Sequence, residues 1–194
     1  MLITSEFEVP QPVEKVWEFF GNVAQVAACL PGAELTDDLG DDKYLGKVAI
    51  RMGPVKMQFA GNATITERDD AAKRMVIDAA GADEKGRGQA SMLVTATLAS
   101  MGAGTKVSVN QDVQLSGAAA QYGRGMISDV TQVLMRQFAT NMQTRIDAIE
   151  RGDTSAANAT AAPASGFAIG IRAMRLALLR VFRRFFLPYQ PNVN

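Results

Sequence analysis

The sequence predicts an α+β fold, in which a curved antiparallel sheet of about seven strands wraps around one long C-terminal helix. Three observations predict it. An opening strand is followed by two short segments of helical spacing; the chain then alternates with period two from Ala33 to Leu115; and residues 118–151 carry a single apolar stripe. Short consecutive strands joined by tight turns make an antiparallel meander, which buries one face against the helix and leaves the other wet.

The elements follow in chain order. Residues 2–9 place Ile3, Phe7 and Val9 on one side of a strand, which Pro10 and Pro12 stop. Pro12 suits the first turn of a helix, and Val13, Val16, Trp17 and Phe20 continue at helical spacing. Gly21-Asn22 breaks that helix, and a second short one runs from Val23 to Leu30, ended by Pro31-Gly32. Val48, Ile50 and Met52 alternate before a Gly53-Pro54 turn, and Val55, Met57, Phe59, Ala63 and Ile65 alternate after it. Lys73–Ala80 reads as the next strand. Ala90, Met92, Val94, Ala96 and Leu98 mark another, and Gly102-Ala103-Gly104 turns into the last, with Val107, Val109, Val113 and Leu115. The long helix carries Ile127, Val130, Leu134, Phe138, Met142, Ile146 and Ile149 on one stripe.

The net charge of zero hides a split. Residues 166–194 hold five arginines and no acid, so residues 1–165 carry 15 basic against 20 acidic residues, a net −5. Such asymmetry points the tail at something anionic. There is no histidine, which removes the commonest general base near neutral pH and the commonest metal ligand. A single cysteine, Cys29, allows no internal disulfide and no zinc cluster; its apolar neighbours predict a buried structural thiol. The opening residues read at once as a strand rather than as a signal peptide, and no stretch approaches the length of a membrane span. The expected compartment is the cytoplasm.

Several local motifs resemble the carbon-monoxide dehydrogenase G-subunit family, within the START/Bet v1-like (SRPBCC) superfamily. They are Phe7-Glu8-Val9-Pro10 with Val16-Trp17, Cys29-Leu30-Pro31-Gly32-Ala33-Glu34, Gly53-Pro54-Val55, Gly102-Ala103-Gly104-Thr105, and Gln137-Phe138-Ala139 with Asn141. The likeness covers about residues 1–150, and the Leu-Pro-Gly-Ala-Glu segment is its most specific part. The resemblance implies a helix-grip fold and a non-catalytic accessory protein. Such a protein recruits a molybdenum hydroxylase of the CO dehydrogenase type to the inner face of the cell membrane. It also implies a hydrophobic ligand held between sheet and helix.

Periodicity alone leaves two readings of that interior. Gly46, Gly61, Ala63, Ala79, Ala90 and Ala96 fall on the candidate inner face, and small residues there either leave volume or let the helix approach and fill it. The resemblance favours the cavity. Its expected lining is Met52, Met57, Phe59, Met75, Met92, Val94, Gln111, Tyr122, Met126 and Phe138. Methionines suit an adaptable apolar surface, and Gln111 and Tyr122 are the polar groups expected near a ligand carbonyl. Trp17, on the stripe of the first helix, is expected to anchor the core.

Residues 152–165 are small, polar or alanine and read as a flexible linker after a domain spanning 1–151. Residues 166–187 then place Phe167, Ile171, Met174, Leu178, Val181, Phe182 and Phe185 on one helical face, with Arg172, Arg175, Arg180, Arg183 and Arg184 fanned opposite. An apolar stripe under an arginine face describes a helix lying in a bilayer interface, each arginine contributing about 1 kcal/mol near an anionic leaflet, or, as the alternative, a helix packing on its own domain or on a partner. Residues 188–194, after Pro188, are expected to be a disordered end.

Two function classes follow. The first is a membrane adaptor and carrier of a hydrophobic ligand, for which a quinone (menaquinone or ubiquinone) fits a cytosolic redox partner whose electron acceptor lives in lipid. Its expected partners are membrane lipids, the molybdenum hydroxylase and the quinone, with no nucleic acid and no bound metal. The second is a lipid-pocket enzyme, a cyclase or hydrolase. It lacks support in the pattern, because Asp37, Asp38, Asp41, Asp42, Asp69 and Asp70 fall in turns and Asp78 and Asp112 at outward strand positions.

Overall fold

A computed structural model describes residues 1–52 and 55–153. Its elements are β1 (Leu2–Val9), α1 (Val13–Gly21), α2 (Val23–Cys29), β2 (Ala33–Gly40), β3 (Lys43–Met52), β4 (Val55–Asp69), β5 (Arg74–Asp83), β6 (Gln89–Met101), β7 (Gly104–Leu115), a short 3-10 turn at Gly117–Gln121, and α3 (Arg124–Glu150). The strands form one antiparallel sheet in the order β1-β7-β6-β5-β4-β3-β2, so a meander from β2 to β7 is closed by β1 returning beside β7.

Local chemistry sets the joints. Pro12, at φ −56°, begins α1, and its carbonyl accepts from the Val16 N–H at 3.2 Å. Asn22 ends α1 and caps α2, its side-chain oxygen accepting from the Gln25 N–H at 3.1 Å. Asp41 and Asp42, at φ 51° and 57°, form the two-residue turn between β2 and β3, a geometry that follows the sheet's own twist. At the end of α3 the Asp153 N–H donates to the Ala148 carbonyl and the Gly152 N–H to that of Ile149, the paired bonds that stop a helix.

The sequence expectation is corrected at two boundaries. The long helix does not start at 118. Gly117–Gln121 is a 3-10 turn, and α3 begins after Gly123, whose φ of +52° breaks helical continuity. The strand expected to end at Ala80 runs on to Asp83, where a side-chain clasp described below stops it.

The main core lies under α1, α2 and the C-terminal half of α3. Val16, Trp17, Phe19, Phe20, Met75, Leu98, Val107, Val109, Phe138, Met142 and Ile146 pack there. Phe138 meets Phe7 and Phe20 edge-to-face, with ring centroids 6.0 and 6.5 Å apart, the arrangement aromatic quadrupoles favour. Trp17 is buried as expected and pinned: its indole N–H donates to Asp70 at 2.7 Å, and Lys73, ion-paired with Glu14, lies 5.8 Å over its ring. Asn141 ties α3 to α2, its side-chain amide donating to the Cys29 carbonyl at 2.9 Å. Lys15 and Gln11 bond Glu150 at the far end of α3.

Candidate functional site

Three successive rows of side chains cross the sheet on its helix-facing side. Register places Ile3, Gln111, Val94, Ile77 and Ile65 in the first, and Val113, Met92, Ala79, Ala63 and Tyr44 in the second. The third holds Leu115, Ala90, Gly81, Gly61 and Gly46. Three adjacent glycines and three alanines leave the middle of this face without bulk. Gly61 is required there, since a Cβ would come within 1.9 Å of the Ala80 carbonyl oxygen. The close approach of β4 and β5 and the missing side-chain volume therefore have one cause.

The burial pattern shows where helix and sheet close on one another. Every fully buried apolar residue of α3 lies at Phe138 or beyond, while Ile127, Val130 and Leu134 on the same stripe are half-buried. Opposite them Met92, Val94, Val113, Ala63 and Ala79 are half-buried too, although they point at the helix layer. A second, smaller core of Met57, Phe59 and Ala119, flanked by Val48, Ile50, Tyr122 and Val130, sits at the other end. Between two packed ends the inner face stays accessible, as an open trough rather than a filled core.

Gln111 is the buried polar group at the main-core end of this trough, and Tyr44 stands at its rim. Gln111 is 6% exposed, flanked by Ile3 and Val94, and its amide nitrogen has no hydrogen-bond partner. A buried donor left unpaired costs about 1–3 kcal/mol, so its retention needs an explanation. The Ser5 hydroxyl oxygen is also buried and unpartnered. Ser5 faces Val109 and is therefore the diagonal neighbour of Gln111 across the β1–β7 pair.

The expected lining distributes unevenly. Met57, Phe59 and Tyr122 form or flank the smaller core, Met92 lies in the trough, and Val94, packed against the main core, and the buried Gln111 stand where the trough meets that core. Met75 and Phe138 do not line it: both belong to the main core, Met75 at 2% exposure against Ala96 and Phe138 between two other rings. Met126 is 45% exposed, because α3 starts late and carries it on its open first turn. Met52 ends β3, and its side chain lies outside the described residues. Gln111 and Tyr122 are not brought together; Tyr122 packs near Leu115, four residues and about 13 Å along β7 from Gln111.

Two open, shallow concavities lie on the described surface. One of about 280 Å³ opens between β1 and α3, lined by Thr4, Ser5, Glu6, Phe7, Gln132, Met135 and Arg136. The other, about 520 Å³, lies across β4, β5, β6 and the end of β7, where Asn62, Ala80, Ser91 and Gln114 meet the backbone of the third-row Gly61, Gly81, Ala90 and Leu115. Neither is lined by Met57, Met92 or Tyr122. The β1–α3 gap escaped sequence reasoning, although Ser5 interrupting the Ile3, Phe7, Val9 alternation was its visible signal.

The ionisable groups here are structural. Asp83 is 4% exposed and accepts from the Gln58, Lys85 and Arg87 N–H groups and from the Arg87 guanidinium at 2.8 Å. Arg87 chiefly, with these amides, holds that carboxyl far below its usual range. The clasp fixes the β5–β6 turn. Burial pushes the Cys29 thiol up to about 11, which leaves it unreactive at neutral pH. Asp78 and Asp112 are exposed. Among the described residues no cluster of three His, Cys, Asp or Glu could hold a metal ion. Among the described residues, too, no helix is long and apolar enough to cross a membrane. Residues 154–194, which include most of the expected linker, the arginine-faced segment 166–187 and the end 188–194, lie outside the described residues.

Comparison with known proteins agrees with this architecture. A conserved protein from Geobacillus kaustophilus superposes with TM-score 0.69 at 20% identity, covering 76% of this chain and 95% of its own. The Zhui aromatase/cyclase from Streptomyces sp. R1128 gives 0.58 at 12% identity, over 79% and 98%. Ara h 8.0201 gives 0.52 at 14%, over 76% and 98%. At these identities the likeness is one of fold, the helix-grip fold of a curved seven-stranded sheet holding a long C-terminal helix. No curated protein matches the chain in sequence. A family model described as the carbon monoxide dehydrogenase G-subunit (CoxG) matches residues 5–147.

Proposed function

Because the chain belongs to the CoxG family, that of the carbon monoxide dehydrogenase G-subunit, we propose that it is a non-catalytic accessory protein that carries a hydrophobic ligand between a membrane and a molybdenum hydroxylase of the CO dehydrogenase type. The ligand is a quinone. The arginine-rich segment 166–187 holds the protein at the inner membrane surface, and the helix-grip domain presents the quinone to the enzyme for delivery of electrons to the respiratory chain.

The observation that carries this reading is the half-buried trough between two packed cores, apolar except for Tyr44 at its rim and a buried glutamine with an unused donor. An apolar concavity with one or two placed polar groups suits an apolar ligand with a carbonyl. The enzyme alternative lacks a free acid or base here: Asp83, on the same side of the sheet, is fully engaged by Arg87 and three amides. The test is the variant Met92→Trp, which fills the trough from its half-buried sheet side and leaves Met57 in the packed smaller core untouched. It should lose quinone during purification while still floating with anionic liposomes. Normal quinone retention by this folded variant would refute the assignment of the site.

A further inference from the structure

Two buried polar atoms without partners stand on adjacent strands, one diagonal step apart. Among the described residues only Ser5, Gln25 and Gln111 have a buried side-chain N or O atom without a partner, and two of these three are neighbours. Gln25 lies apart, on α2. A serine reaches little beyond its Cβ and a glutamine three bonds further, so side chains with Cα atoms about 7–8 Å apart can both bond one oxygen placed between them. Ser5 also lines the β1–α3 gap of about 280 Å³, so its buried hydroxyl lies one side-chain movement from an opening on the side of the domain. Phe7 and Met135 give the gap an apolar wall, and Thr4, Gln132 and Arg136 give it a polar rim.

The geometry points to Ser5 and Gln111 as a paired polar end-stop, which selects a ligand carrying an exposed carbonyl or similar acceptor oxygen and admits it through the β1–α3 gap. This inference rests on the trough being a ligand site, and it replaces Tyr122 by Ser5 as the partner of Gln111. The oxygen accepts from the Gln111 amide and the Ser5 hydroxyl, while the apolar body lies along Val94, Met92 and the glycine row. A purely apolar guest satisfies neither atom, so the pair discriminates a quinone-like molecule from a hydrocarbon of the same shape. Each hydrogen bond is worth roughly two- to tenfold in Kd.

The test compares two probes on the full chain by equilibrium dialysis: 2-methyl-1,4-naphthoquinone and 2-methylnaphthalene, which share a ring system and differ in the two carbonyls. The intact protein should prefer the quinone. Ser5→Ala and Gln111→Leu should each weaken quinone binding by roughly two- to tenfold and leave the hydrocarbon unchanged or slightly tighter. Gln132→Trp, which fills the gap, should slow quinone association and dissociation by the same factor at constant Kd. Equal losses for both probes would make the two residues merely structural and overturn the pairing. Unchanged rates in Gln132→Trp would overturn the lateral entry. Failure of the intact protein to bind either probe would overturn the trough reading itself, and this inference with it.

Discussion

Gln111→Leu should make the ligand-free protein more stable. Gln111 is 6% exposed, sits between Ile3 and Val94, and has an amide nitrogen with no partner. Removing a buried unpaired donor recovers its desolvation cost of about 1–3 kcal/mol, and leucine fits the same space with apolar contacts. At an m-value of about 2 kcal/mol/M, the urea midpoint should rise by roughly 0.5–1.5 M with m unchanged. Asn141→Leu is the matched control. Its amide does donate, to the Cys29 carbonyl at the end of α2, so the same chemical change should cost about 1–2 kcal/mol. Urea unfolding of both variants, monitored by far-UV circular dichroism after stripping of bound lipid, gives the two signs. If Gln111→Leu lowers the midpoint as Asn141→Leu does, Gln111 is a satisfied core residue and the argument from its unused donor fails.

Phe138→Ala should cost about 3–5 kcal/mol in the same assay, because its ring fills the centre of the main core against Phe7 and Phe20; a loss below about 1 kcal/mol would contradict that packing. Cys29 should resist a thiol reagent at pH 8 in the native protein and react once unfolded. Its folded value of about 11 lies above the unfolded one, so the stability it contributes is complete below about pH 8.5 and is lost as pH rises towards 11. Asp83 titrates the other way. Its folded value is lowered, so its contribution is present above about pH 4 and is lost on acidification, and Asp83→Asn should flatten the acid side of the stability curve. Truncation after Ser165 should leave a folded domain that no longer floats with anionic liposomes, and undiminished flotation would move the membrane contact to the domain.

Alternation made most of the sheet legible. A period of two assigns each residue to a face, and Gln111, Met92, Val94, Met57 and Phe59 all fall on the helix side as read. Periodicity does not say which rows along that face are closed by the helix. Met75 on β5 and Phe138 on α3 share their faces with trough residues yet belong to the main core with α1, where the packing is complete. The start of α3 was obscured because residues 118–121 are good helix formers, while the decisive signals are the flanking glycines Gly117 and Gly123, both with positive φ. The Asp83–Arg87 clasp depends on where a turn folds back on itself, which spacing alone does not reveal. Ser5 was readable as a polar break in an apolar alternation, but its meaning needs the β1–β7 register that sets it beside Gln111.

The central claim is that the helix-grip domain carries a quinone-class ligand. Mass spectrometry of the apolar molecules extracted from the full chain, purified from its native membrane-containing cell without detergent, tests it most directly. A quinone should be recovered in near-stoichiometric amount from the intact protein and should be lost from the Met92→Trp variant. Fatty acids or phospholipids in its place, or equal recovery from both proteins, would contradict it.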